Sequence, residues 1–272
     1  MAQGETVIER FDSIGAFCKR LDSMEGPRKT NGGSDFTGGE SYQQARVNLL
    51  KGRLENVANA NTIVDKLVGE GVELDQQQWE QSVAGYFPCV PAYLADSPEC
   101  MFRQVEVQSD RAPVRVFASV CASAGVSSED LEKRGTAILA LCMKLSNIRP
   151  VELVVFADLG GGKYDGKEWA CIPTVKIETS PLDLATATYC LTAPAFLRQL
   201  CFHFGDSLGW RSEWAWGRDP RNPTAQEKTK ALLGVGENDL FITGGYSEDP
   251  LIQRPVEWLN EQMERFVTTQ EA

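Results

Sequence analysis

The stretch VRVFASVCASAGVSSEDLEKRGTAILALCMKLSNIRPVELVVFAD (114–158) decides the fold. Val114–Val120 (VRVFASV) reads as a strand, and Val151–Ala157 (VELVVFA) is the near-continuous apolar run of a central strand covered on both faces. Between them, Ser128–Ser146 carries Leu131, Gly135, Ile138, Leu139, Leu141, Cys142 and Leu145 at helical spacing. Strand, long helix and apolar strand form the repeating unit of a parallel sheet.

Working outward, Cys171–Glu178 reads as a strand returning antiparallel to Val151–Ala157 after the turn-forming GGGKYDGKEWA. Two helices follow, near Leu182–Leu191 and Pro194–Phe204. A short strand at Asp239–Thr243 and a helix over Pro255–Val267 close the chain, with Pro255 in the first helical turn and Val256, Leu259, Met263 and Phe266 on one face. Upstream, Met101–Gln108 is expected to pair with Val114–Val120 through SDRAP. The element order predicts an α/β fold with a doubly wound, mostly parallel sheet flanked by helices.

Residues 1–95 read instead as a region of helices and loops, attached to an α/β domain over 96–272. Ser13 is placed to cap a helix running to Met24 through Ile14, Phe17, Cys18 and Leu21, stopped by Gly26-Pro27. RKTNGGSDFTGGES (28–41), with four glycines, is a loop. Ser41 opens a second helix through Tyr42, Ala45, Leu49 and Leu50, closed by Gly52. A third helix is expected from Glu55 to Val68. VAGYFPCVPAYLADSPEC (83–100), broken by prolines and rich in aromatics, is expected to pack across another surface as an ordered loop.

Composition bounds the function. With 272 residues, 42% hydrophobic and 24% charged, the chain has enough apolar material for a large core. A formal net charge of −11 repels the phosphate backbone and disfavours duplex nucleic acid as a partner. No run approaches the ~20 apolar residues of a membrane span, and the first residues lack a signal-peptide pattern. Eight cysteines (18, 89, 100, 121, 142, 171, 190 and 201) are scattered without a CxxC, several inside apolar runs. That usage suits a reducing compartment, and a cytoplasmic location is expected.

With the elements in place, residues 114–158 resemble the start of a von Willebrand factor A domain, and DLFITGGYSEDP (239–250) looks like its last strand. The likeness covers roughly residues 100–268 and is one of element order and apolar pattern. The whole chain also resembles a family of uncharacterised bacteriophage proteins that share an N-terminal helical region, a segment like GYFPCVPAYLADSPECM, and a degenerate domain of this type. The A-domain resemblance implies a metal loop of form Asp-x-Ser-x-Ser. This chain has Ser119-Val120-Cys121-Ala122-Ser123 there, and Thr243-Gly244-Gly245 where an Asp-Gly is expected. A hard Mg²⁺ needs oxygen ligands, so the lost carboxylates argue against a metal site and for no cofactor. Were a site to survive, Ser123, Asp158 and Asp249 would hold it.

Other chemistry is weakly signalled. Gly160-Gly161-Gly162-Lys163 lacks the GxxxxGK[ST] spacing and leads into a strand, which favours a hairpin over a phosphate loop. His203, the one histidine, lies between Phe202 and Phe204 and is expected to be half-buried and hydrogen-bonded rather than a catalytic base. GWRSEWAWGRDPRNP (209–223) concentrates Trp210, Trp214 and Trp216 with Arg211, Arg218 and Arg221, the residue types that dominate binding hot spots. Three readings stand for the tryptophans: they pack a long loop onto the sheet, they capture a protein partner, or with the arginines they stack single-stranded bases, although Asp206, Glu213 and Asp219 offset the three arginines.

The candidate partner-binding residues are Trp210, Trp214, Trp216, Arg218, Tyr246 and Asp249. The A-domain resemblance adds the loops Cys121–Ser127, Leu159–Lys167 and Gly244–Pro250, at the edge such domains present to a protein. The expected function is a non-enzymatic protein-interaction module, an adaptor or assembly factor, in the host cytoplasm if phage-encoded. The alternative is an accessory factor in nucleic-acid metabolism that binds single strands or a polymerase.

Overall fold

The computed structural model describes residues 6–24, 35–52, 79–84, 87–104, 113–146, 149–160, 163–164, 167–168, 170–177, 183–208 and 221–268. At its centre β5 (Val114–Ser119) and β6 (Val151–Phe156) lie parallel, Val114 opposite Val151 and Ser119 opposite Phe156. The helix α4 (Ser128–Ser146) connects them. β10 (Leu240–Ile242) lies parallel to β5 on its other side, and β9 (Ala170–Ile177) antiparallel to β6. β1 (Thr6–Phe11) pairs parallel with β9 at the far edge, giving the order β1-β9-β6-β5-β10. The sheet is therefore mixed α/β and mostly parallel, as the apolar runs predict.

Both sheet faces are covered, which is why β5 and β6 are apolar almost throughout. Val116, Ala118, Leu153 and Val155 point into the main core with α4, while Phe117, Val154 and Phe156 point to a smaller cluster that includes Leu233. Leu233 ends α7 (Pro223–Leu233), whose N-cap Asn222 accepts from the Ala225 N–H and whose C-cap Gly234 is left-handed at φ +73°. On the main face, α4 lies against α5 (Leu184–Thr192) so closely that a Cβ on Gly135 would stand 2.5 Å from the Leu191 carbonyl oxygen.

β1 is a departure from the expected helices and loops of residues 1–95. In TVIERF, Phe11 joins the main core and Ile8 packs on the opposite cluster, while Glu9 pairs with Arg20 at 2.7 Å. As an edge strand it keeps charged positions, which hides its period. α1 (Ile14–Asp22) and α2 (Tyr42–Lys51) start where expected: Ser13 Oγ accepts from Ala16 N, and Ser41 and Gln44 form a capping box. Phe17 stacks edge-on with Phe11 at 5.2 Å and with Phe196 at 6.0 Å. Residues 6–24 and 35–52 thus share the core of the sheet. In α2, Tyr42, Ala45 and Leu49 are buried but Leu50 faces solvent. The helix expected over 55–68 lies outside the described residues.

β4 (Met101–Gln104) does not pair with β5. Both hydrogen-bonding edges of β5 are taken by β6 and β10, and β4 instead joins β2 (Trp79–Ser82) and β3 (Phe87–Pro88) in a small antiparallel sheet. The 83–100 stretch is likewise not packed across a surface in its described part. It holds the short helix α3 (Val90–Leu94), and Val83, Val90, Tyr93 and Leu94 are 71%, 58%, 66% and 76% exposed.

Toward the C-terminus, α5 is capped by Asp183, and a π-helical turn (Phe196–Cys201) runs into α6 (Phe202–Ser207). β7 (Lys163–Tyr164) and β8 (Lys167–Glu168) form the hairpin expected after Gly160. The late strand is shorter than 239–243, and α8 (Pro250–Gln253) precedes the closing α9 (Pro255–Thr268), in which Leu259 and Met263 are buried. Among the described residues no helix is long and apolar enough to cross a membrane.

Candidate functional site

β5, β6 and β10 run in one direction, so the segments after them converge at one sheet edge. There Ser119 ends β5 and Cys121 lies just after it, Asp158 follows β6, and Thr243 and Gly244 follow β10. With Phe156, Phe241 and, from α7, Gln226 and Thr229, they line a recess of about 30 Å³, room for one water-sized molecule.

Asp158 and Asp249, two carboxylates of this edge, are tied within the chain. Asp158 is buried; its Oδ2 accepts from Thr229 Oγ1 at 2.5 Å and its Oδ1 from the Gly160 N–H at 3.1 Å. Asp249 caps α8 by accepting from the Leu251 N–H at 3.0 Å, and its Oδ2 lies 3.5 Å from Arg134 Nε. Arg134, on α4 and 2% exposed, donates to the carbonyls of Ser119 (3.0 Å) and Thr243. A guanidinium thus ties the ends of β5 and β10 together. Burial lowers its proton affinity, and the Asp249 charge works against that loss.

Arg134 also explains the glycine at position 245. A Cβ on Gly245 would meet Arg134 Cδ at 2.9 Å, so the passage of the arginine demands glycine there. Patterning did not single out Arg134; the signal available was one arginine beside Gly135 in the apolar face of a helix.

Ser123 is not among the residues lining the recess. Its N–H donates to the Gly245 carbonyl at 3.0 Å, locking the loop after β5 to the loop after β10. Of Ser123, Asp158 and Asp249, Asp158 alone is among the residues lining the recess. Among the described residues no group of three or more His, Cys, Asp or Glu side chains stands together as metal ligands do. With one aspartate bound to Thr229 and the other to Arg134, the residues present do not fit a hard divalent ion, which needs several free oxygens.

Two candidate reactive side chains, Cys121 and His203, are buried. Cys121 is buried, its thiol pushed up to about 12 chiefly by desolvation and further by the Asp158 charge, and its Sγ sits 3.5 Å from the Asp158 carbonyl. His203 is buried rather than half-buried: its ring meets Tyr42 edge-on at 4.8 Å, and Ser207 Oγ lies 3.4 Å from Nε2.

Of the candidate partner-binding residues, Trp210, Trp214, Trp216 and Arg218 lie outside the described residues. Tyr246 is described, half-buried, with the Arg221 guanidinium 4.1 Å from its ring centroid. The end of the tryptophan-rich stretch is thereby placed against the loop after β10.

The family model of a domain of unknown function, DUF7192, matches residues 2–252. The chain belongs to the DUF7192 family. No curated protein and no solved structure matches it. The DUF7192 match begins before β1 and ends within α8, so the N-terminal strand, the helices beside it and the carboxyl edge of the sheet fall in one family unit.

Proposed function

We propose that this DUF7192 chain is a non-enzymatic protein-interaction module, an adaptor or assembly factor on a degenerate von Willebrand A-like sheet, in the host cytoplasm if phage-encoded. One observation carries the reading: Arg221 lies over Tyr246 at 4.1 Å, which joins the Trp/Arg-rich segment to an edge loop. Tyr, Arg and Trp are the residue types that carry most of the energy of binding hot spots. The internal ties of Asp158 and Asp249, and a Cys121 thiol pushed up to about 12, favour a scaffold role over catalysis. Eight free cysteines, seven of them buried, accord with a reducing compartment.

The test is cross-linked capture from a lysate of the native host, followed by reconstitution of the captured protein with purified chain. Tyr246→Ala, Arg221→Ala and a Trp214→Ala/Trp216→Ala pair are compared with the unaltered chain, each with its melting temperature. The expected result is lost capture with an unchanged melt. Capture and stability lost together would place the tryptophans in the core and sink the reading. Salt-dependent binding to single-stranded DNA by the same protein would favour the nucleic-acid alternative.

A further inference from the structure

Two of the cysteines stand opposite each other in the small antiparallel sheet. β3 and β4 pair with Phe87 opposite Phe102 and Pro88 opposite Met101, and one further step of that register sets Cys89 opposite Cys100. The backbone makes that step: the Cys89 N–H donates to the Cys100 carbonyl at 2.8 Å, and Cys89 stays extended at φ −81°, ψ 96°. Its own carbonyl accepts from the Tyr93 N–H at 2.9 Å, so the chain turns into α3 only after Cys89. Opposed residues of a hydrogen-bonded antiparallel pair have Cα atoms about 5.5 Å apart and side chains on one face. A disulfide spans Cα separations of about 4.4–6.8 Å.

The sulfur of Cys89 leans toward its partner strand. Gln81 of β2 stands opposite Phe102 of β4 and shares its face. Cys100, two residues before Phe102, is on that face too, and so is Cys89 opposite it. β2 and β3 flank β4 on its two sides, which puts them about 9–10 Å apart. Gln81 Nε2 nonetheless donates to Cys89 Sγ at 3.1 Å. A glutamine cannot cover that span alone, so the sulfur sits over β4, on the face that carries Cys100. Exposure then divides the two free thiols: Cys89 is 6% exposed, whereas Cys100 is the one cysteine not buried.

We propose that Cys100 and Cys89 form a modification site that takes small disulfides of the glutathione class and closes into a Cys89–Cys100 disulfide. Cys100, as its thiolate, attacks one sulfur of the incoming disulfide. That S–S bond breaks, one small thiolate leaves, and the other half stays on Cys100. Cys89 then gives its proton to solvent and attacks the Cys100 sulfur, expelling the second small thiol. Two protein thiols are oxidised to one disulfide, and the small disulfide is reduced to two thiols. The product ties together both ends of the segment that carries the exposed Val90, Tyr93 and Leu94. Excess dithiol reverses it, as for the transient, redox-sensing disulfides of reducing compartments. The site does not depend on the protein-interaction reading.

The reduced full chain is treated with excess oxidised glutathione under native conditions, quenched at intervals by alkylation, and read by intact mass and peptide mapping. The expected end product has lost two hydrogens, carries no glutathione, and has its new bond between Cys89 and Cys100. In Cys89→Ser the reaction stops one step earlier: a glutathione adduct stays on Cys100 and lasts at least about tenfold longer than in the unaltered chain. Cys100→Ser gains neither adduct nor disulfide at position 89, because that sulfur is buried. The unaltered chain decides the matter by itself if either variant melts early. The proposal is overturned if its adduct persists on Cys100 while Cys89 remains a free thiol. It is equally overturned if the bond joins another pair, or if no cysteine reacts while the chain is folded.

Discussion

Arg134 Nε lies 3.5 Å from Asp249 Oδ2, with the arginine side chain 2% and the aspartate side chain 13% exposed. The same guanidinium donates to the carbonyls at the ends of β5 and β10. Removing the acid alone leaves the cation buried against two carbonyls. Asp249→Ala is expected to cost about 3 kcal/mol, because an uncompensated buried charge costs more than a lost surface pair. Replacing both residues together, Arg134→Met with Asp249→Leu, should recover part of that loss. Urea denaturation of the three variants checks it; an unchanged midpoint in Asp249→Ala would show that the pair carries no stability.

Gly135→Ala sets two effects against each other. In a helix interior alanine is favoured over glycine by about 1 kcal/mol. Here the new methyl would stand 2.5 Å from the Leu191 oxygen and 2.7 Å from Thr192 Cγ2, and the first of these is backbone. The clash should win, with a net loss of about 1–3 kcal/mol as α4 and α5 separate. A melting temperature equal to or above that of the unaltered chain would show that the two helices yield freely.

The buried thiols make stability fall in alkali. Desolvation pushes Cys121, Cys142 and Cys171 from the ordinary 9.0 up to about 12, and Cys18 to about 11. The folded state holds these protons more tightly than the unfolded chain does. The stabilisation is therefore complete below pH 9.0 and is lost as pH rises toward about 12. The slope is at most ~1.4 kcal/mol per pH unit for each thiol. Denaturation series from about pH 8 to pH 10.5 should show the fall; a flat curve above pH 9 would contradict the burial. At neutral pH one thiol, Cys100, should react fast with an aromatic disulfide reagent, since it is the one cysteine not buried.

Tyr189→Phe removes the hydroxyl that donates to Glu40 Oε2 at 2.7 Å inside the core, beside the Asn48 amide at 3.0 Å. The bond joins α5 to the segment leading into α2. A loss of about 1–3 kcal/mol is expected, measured by denaturant unfolding. A negligible effect would show that water or another donor serves Glu40 equally well.

Much of the fold was legible because local patterning carries it. The range Ser128–Ser146, the caps Ser13 and Ser41, and the antiparallel return of β9 all follow from period and turn chemistry. β1 was not legible: six residues with two charges look like a loop until an edge position beside β9 makes the alternation useful. The partner of β4 was misjudged because adjacency in sequence says nothing about whether an edge of β5 is already taken. At the candidate site, Asp158, Asp249 and Tyr246 could be named from their positions after strands, but Arg134 could not.

What the sequence by itself determined was the set of local elements, since a helix or strand reports its period and its caps within a few residues. The tertiary structure alone decided which polar groups meet at the sheet edge. Arg134 reaches Ser119 across 15 positions and Thr243 across 109. Contacts at that separation exist only after strand order has brought three strand ends together, and no local pattern encodes strand order.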